Sequence, residues 1–230
     1  MMNVYALKCP PLADLRAGES LLNRVSAERR RKIHRYRNAE DANSSLWSEL
    51  LLRAVIRETT GLPTHEIVFG KNRYEKPFLT GDTSLQFNLS HSGAWIFCAL
   101  DTKPVGADIE KIQPVSPGLV DLTLSAPERQ LYDTLPSRNR LSCFFTLWTC
   151  KESFLKAIGT GLHSLPSELS VVIDQEQVTG TVSGHTHKKG GYCRIYPFIP
   201  GYRAAVCSFQ NSFPATVIQK VPHSVIQSIQ

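Results

Sequence analysis

No two cysteines of this 230-residue chain stand in a C-x-x-C pair. Zinc-ribbon and thioredoxin-type redox readings are therefore excluded. Cys9, Cys98, Cys143, Cys150, Cys193 and Cys207 are scattered, and three of them (Cys98, Cys143 and Cys207) lie in apolar runs. They read as reduced structural thiols. No apolar stretch approaches a membrane span; the longest lies near Trp95–Leu100. Met1–Leu12 has no basic start followed by an apolar block, so no secretory signal is read and the cytoplasm is expected. Apolar residues at 42%, charged residues at 20% and aromatics at 9% exclude disorder, collagen and coiled coil.

Acidic residues are scarce where basic ones gather. Arg24, Arg29, Arg30, Arg31, Lys32, Arg35 and Arg37 face Glu28 alone, and the whole chain carries a net charge of +6. A focal patch of one sign implies an anionic partner: phosphates, nucleic acid or an acidic protein.

The pattern of elements predicts an α+β fold. Strands are expected at Asn3–Leu7, Ile67–Phe69, Leu85–Ser90, Ala94–Asp101, Val105–Ile109, Leu169–Ile173, Cys193–Tyr196 and Ala204–Phe209. A helix is expected from Ser26 to Arg37. Another carries Trp47, Leu50, Leu51, Ala54 and Val55 on one face and stops at Gly61-Leu62-Pro63. Pro127 and Glu128 fit a helix's first turn, and Leu141–Ile158 forms a second long helix. Gly81-Asp82 reads as a turn and Thr186–Gly191 as a loop; His185-Thr186-His187 falls there and reads as surface. Leu46-Trp47…Gly61-Leu62 recurs as Leu147-Trp148…Gly161-Leu162, an offset of about one hundred residues. This suggests two similar α+β lobes in a pseudo-twofold relation, residues 1–104 and 105–230, with the active cleft between them. Residues 211–230 are polar and receive no role.

Three segments carry chemistry. In Val105–Glu110 the strand period puts the Asp108 and Glu110 carboxylates on one side. An acidic exposed edge strand is the plain alternative. On the helix Leu141–Ile158, Leu141, Phe144, Phe145 and Leu155 fall within roughly 60° of Trp148, and Glu152 about 40° from it. A carboxylate on a core face needs a partner. An i,i+4 pair with Lys156 would supply one. The sharper alternative has Asp108, Glu110 and Glu152 converge on a hard divalent cation, with flanking Lys151 and Lys156 as phosphate contacts. In Phe87–Gly93, Ser90, His91 and Ser92 end an apolar strand where polar groups reach a cleft; there is no G-x-S-x-G elbow.

Together these segments resemble the Sfp-type 4′-phosphopantetheinyl transferases. Trp148–Leu162 fits the pattern W-[ST]-x-K-E-[AS]-x-x-K-x-x-G-x-G-L, Val105–Glu110 fits V/I-G-x-D-x-E, and Asn88–Gly93 fits N-x-S-H-S-G. Glu75 stands where the family often has glycine, which tolerates φ > 0, and Ala107 replaces a commoner isoleucine. The resemblance implies transfer of 4′-phosphopantetheine from coenzyme A to a carrier-protein serine, releasing adenosine 3′,5′-bisphosphate. It implies Asp108, Glu110 and Glu152 as ligands of Mg²⁺ (Mn²⁺ as a substitute), Glu152 as the base, and Lys156 at the leaving phosphate. It further implies Arg29, Lys32, Ser45, Lys76, Ser90 and His91 as coenzyme A contacts. The expected partner is an acyl or peptidyl carrier protein, with no nucleic acid and no membrane, and the expected enzyme is a monomer. Two other classes compete: a nucleic-acid binder using Arg24–Arg37, and a Mg²⁺-dependent nucleotide hydrolase on the same carboxylates.

Overall fold

Capping residues set where the helices begin and end. The computed structural model describes residues 1–11, 18–81, 84–159, 165–174, 179–184 and 187–230. It opens with β1 (Asn3–Lys8), which stops at Pro10-Pro11, then α1 (Gly18–Leu22). Ser26 Oγ accepts the Arg29 N–H at 3.1 Å and starts α2 (Ala27–Ile33). That helix is shorter than the expected Ser26–Arg37, because Asn38 caps a new one: its Oδ1 accepts the Glu40 N–H at 2.8 Å. α3 (Ala39–Thr60) runs 22 residues to Gly61, a left-handed cap at φ 75°.

β2 (Phe69–Lys71) and β3 (Pro77–Leu79) form a hairpin that begins two residues beyond the predicted Ile67. β4 (Gln86–Ser92) and β5 (Trp95–Asp101) pair around Gly93, and β6 (Val105–Lys111) follows. α4 (Pro117–Thr123) turns into α5 (Ala126–Thr134), whose Glu128 accepts the Ser125 N–H at 2.8 Å. α6 (Ser137–Ile158) again runs 22 residues and ends at Gly159, φ 82°. Gly159 is thus the counterpart of Gly61; Gly161 and Leu162 of the predicted repeat lie outside the described residues, as do Asp82, His185 and Thr186.

The second half continues with β7 (Leu169–Asp174), β8 (Thr179–Gly184), β9 (His187–Ile195) and β10 (Tyr202–Ser208). His187–Gly191 was expected as loop and is strand. Its glycines are there for close packing: a β-carbon at Gly191 would stand 2.8 Å from the Phe154 ring, and one at Gly190 3.0 Å from the Val182 carbonyl. The chain closes with β11 (Ile218–Lys220) and α7 (Pro222–Ser228).

The strand order is β11-β1-β5-β4 in one sheet and β6-β10-β9-β8-β7 in the other. In each half the first strand pairs antiparallel with the last of that half's hairpin strands, and one 22-residue helix packs against the sheet. This is the expected two-lobe α+β architecture. One boundary departs from the sequence reading. The tail belongs to the first lobe: β11 runs parallel to β1, and Val225 and Ile229 of the α7 segment join the core of Leu50, Leu51 and Ile56. Residues 211–230, polar on paper, thus complete the N-terminal sheet. A third apolar cluster seals the lobes together, with Val4, Phe97 and Ala99 against Ala107, Ile109 and Val206. Among the described residues no helix is long and apolar enough to cross a membrane.

Candidate active site

β4 and β6 are edge strands of different sheets, and they lie side by side without a backbone ladder. Side chains bridge them instead. Asn88, Ser90 and Ser92 alternate along β4, so all three face β6. Asn88 Oδ1 accepts the Ala107 N–H at 2.9 Å, Ser90 Oγ donates to Asp108 Oδ1 at 2.9 Å, and Ser92 Oγ donates to Glu110 Oε2 at 2.8 Å. The N-x-S-H-S run is therefore the seam between the lobes. Ser92 was read only as a polar group reaching the cleft, and Asn88 was given no role, although the spacing of two carried the signal.

α6 brings the third carboxylate. It packs against β6 at Gly106, and this sets Glu152 near Asp108 and Glu110. Asp108 is 2% exposed. Lys156 crosses from α6 and donates to Asp108 Oδ1 at 2.6 Å and to Ser90 Oγ at 3.1 Å. The intrahelical Glu152–Lys156 pair considered from the sequence does not form, because Lys156 spends its charge on Asp108. Burial pushes the Glu152 carboxyl up to about 7, with Asp108 and Glu110 adding to the rise and Lys156 opposing it. Glu110 is raised by burial and then by Asp108; hydrogen bonds from Ser92 and Trp148 hold it back.

The three carboxylates also meet a test for a hard cation. Asp108 Oδ2 and Glu152 Oε1 are buried and have no hydrogen-bond partner, and an all-oxygen donor set suits Mg²⁺. Among the described residues, however, no three acidic, imidazole or thiol groups already stand in a ligating arrangement. Lys156 holds Asp108 where an ion would compete for it.

A second group forms around α2 and α3. Arg29 donates to Ser45 Oγ at 3.2 Å and to Glu49 Oε2 at 3.2 Å. Glu49, 2% exposed, also takes Arg53 at 2.8 Å and the Ser26 N–H at 2.6 Å. One member of the basic run, Arg29, is therefore paired by a glutamate of α3 that the sequence reading passed over. Lys32 stays exposed. His91 connects the two groups: partial desolvation lowers its pKa, Lys156 lowers it further, Asp41 opposes, and Lys32 and Arg29 add to the fall. Lys76 stands apart from both. Its Nζ donates to the carbonyls of Lys156 at 2.6 Å and Val105 at 3.2 Å, closing the C-terminal end of α6, and burial pulls its pKa down to about 8.

Lys151 is not a phosphate contact. It is wholly buried, paired with Glu128 and donating to the Thr123 carbonyl at 2.7 Å. Its flank of α6, which the angular reading placed beside the apolar stripe, is covered by the corner between α4 and α5.

Comparison with known proteins decides the family. The profile described as "4'-phosphopantetheinyl transferase, N-terminal" matches residues 16–103, and that of the "4'-phosphopantetheinyl transferase superfamily" matches residues 104–207. This chain belongs to the 4′-phosphopantetheinyl transferases. It is 34% identical over 219 residues to the transferase ffp of Bacillus subtilis, covering 94% of this chain and 96% of that one. It is 35% identical over 222 residues to gsp of Aneurinibacillus migulanus, covering 96% and 92%. It is 33% identical over 219 residues to Sfp of Bacillus subtilis strain 168, covering 94% and 96%. The chain is a phosphopantetheinyl transferase, an enzyme that converts apo carrier protein to the holo form. The boundary between the two profiles falls between β5 and β6, at the step from one lobe to the other.

Proposed function

We propose that this transferase uses coenzyme A as donor and Mg²⁺ as its ion, and releases adenosine 3′,5′-bisphosphate. One observation carries the reading: two strands and one helix, β4, β6 and α6, bring Ser90, Asp108, Glu110, Glu152 and Lys156 to one seam, where burial raises the Glu152 carboxyl. Asp108, Glu110 and Glu152 would hold the ion, which supplies positive charge to the diphosphate when bound. Glu152, brought beside the other two carboxylates by α6, takes the proton from the carrier's serine hydroxyl. The serine oxygen bonds to the β-phosphorus, and the bond from that phosphorus to the bridging oxygen breaks. The electron pair leaves with the nucleotide phosphate, whose growing charge Lys156 stabilises. Arg29, Lys32, Ser45 and His91 support the 3′-phosphate. In this reading Lys76 closes the C-terminal end of α6 beside Lys156, and Ser90 orients Lys156.

Both sides of the cleft come from one polypeptide, which supports a monomer. Carrier domains of peptide, polyketide or fatty-acid assembly all present the required serine. The nucleic-acid reading loses ground because the chain belongs to a transferase family and Arg29 turns inward to Glu49 and Ser45. The test is the intact mass of several apo carrier proteins incubated with enzyme, coenzyme A and Mg²⁺. A gain of about 340 Da, one phosphopantetheine, is expected. Cleavage of coenzyme A with no carrier present would instead support the hydrolase.

A further inference from the structure

A cavity of about 700 Å³ opens where β6 ends and just past the end of β4. Gly93 and Ala94 follow Ser92 into its wall, and Lys111 follows Glu110. Tyr202, the register partner of Lys111, completes that side; its hydroxyl accepts the Ala94 N–H at 3.4 Å. The Lys111 N–H donates to Ser92 Oγ at 3.1 Å, the same hydroxyl that holds Glu110, so the cavity wall and the reaction site share one hydrogen-bond network.

The facing wall is the first turn and a half of α3, and there Asn43 is only 6% exposed. Its amide orientation is fixed, because Nδ2 donates to the Pro10 carbonyl at 2.9 Å. Oδ1 is left buried with no hydrogen-bond partner. A buried carbonyl in that state calls for an N–H or O–H donor.

The geometry points to a subsite for the pantetheine arm of the donor, in which Asn43 Oδ1 accepts an amide N–H of the arm. The inference rests on the coenzyme A reading above. The arm leaves the diphosphate at Glu110 and carries two secondary amides, so it brings the missing donor into the adjoining space. Prolines 10, 11 and 222 offer apolar surface to its methyl groups. Adenine could also donate, through its amine, but Arg29 and Lys32, which support the nucleotide's 3′-phosphate, do not line this cavity.

The test compares two ligands on the intact protein with Mg²⁺ by calorimetry: coenzyme A, and adenosine 3′-phosphate 5′-diphosphate, which lacks the arm. Asn43→Leu removes the acceptor. Ala94→Trp, at an exposed turn position on the opposite wall, fills the cavity with the α3 residues unchanged. Both variants should weaken coenzyme A binding about tenfold, the size of one lost hydrogen bond, and leave the arm-less nucleotide within about twofold of wild type. Equal affinity of wild type for the two ligands overturns the subsite. So does unchanged coenzyme A binding in either variant, and so does a parallel loss on both ligands, which would mark adenine or the fold as the cause. Wild type that binds neither nucleotide would sink the coenzyme A reading itself.

Discussion

Gly106 on β6 passes the backbone of Ser153 on α6 so closely that a β-carbon at 106 would stand 1.9 Å from the Ser153 carbonyl oxygen. Neither backbone can yield, since one belongs to a strand and the other to the middle of a buried helix. The Gly-x-Asp-x-Glu spacing therefore has a steric half and a chemical half: the glycine admits α6, and α6 delivers Glu152 to the two carboxylates. Gly106→Ala should destabilise the protein by about 3 kcal/mol or more, the upper range for overpacking. Urea denaturation measures this, and a loss below about 1 kcal/mol would show that the two backbones can part.

Glu152→Gln should lower kcat at least a hundredfold, the lower bound for removing a general base, and change coenzyme A affinity much less. Single-turnover mass assays with titration calorimetry separate the two. Equal losses in both would take the base role away from Glu152.

Acidity supplies an independent check. The folded-state pKa of Glu152 is raised from 4.5 to about 7, so the folded protein binds a proton more tightly than the unfolded chain does. In metal-free protein the stabilising effect of that proton is fully present below about 4.5 and is lost as pH rises through about 7. The Glu110 shift acts in the same direction. Mg²⁺ competes with the proton, so its increment in Tm should grow between pH 5.5 and pH 8, and that growth should be smaller in Glu152→Gln, where only Glu110 still titrates upward. A pH-independent increment would contradict this.

The Lys151–Glu128 pair ties α6 to the start of α5 and, through Glu128 and the Val171 N–H at 2.8 Å, to β7. Lys151→Met leaves the buried Glu128 carboxylate without its counter-charge, though it keeps the Ser125 and Val171 N–H groups, and should cost about 3–5 kcal/mol. Adding Glu128→Leu should restore much of it. A double-mutant cycle by chemical denaturation reads the coupling, and additive losses would mean the two groups act separately.

Glu75 is the one residue other than glycine with positive φ among those described, at 64°. Its carboxylate pairs with Lys71 at 2.7 Å on the surface, a contact of small worth. Glu75→Gly removes about 1–2 kcal/mol of backbone strain against that minor loss. A rise in Tm is expected, and a fall would show that the ion pair governs this turn.

The long helices and the three motifs were legible because their signals are local: periodicity on α3 and α6, alternation on β4 and β6. Ser90 and Asp108 were read from separate motifs, and their contact confirms only that the two strands face each other. Lys151 was misplaced because a helical angle says nothing of what covers each flank; two polar groups from distant segments, Glu128 and Thr123, make its burial tolerable. His187–Gly191 misled through composition, since glycine marks close approach in a strand as readily as a loop. The tail was opaque for a different reason: β11 has three residues and a parallel partner more than two hundred positions away, a pairing with no trace in the local pattern.

That pairing has a consequence for how the molecule comes into being. The N-terminal sheet takes its outer strand from Ile218–Lys220, so the second lobe is inserted within the first. On the ribosome the second lobe can close around α6 as soon as β10 has emerged, whereas the earlier-made lobe must wait for Ile218–Lys220 and α7 to follow. The seam between Ser90 and Asp108 would then gain its final rigidity only after those residues dock, and a truncation before residue 218 would leave the Tyr5 strand edge bare to other chains.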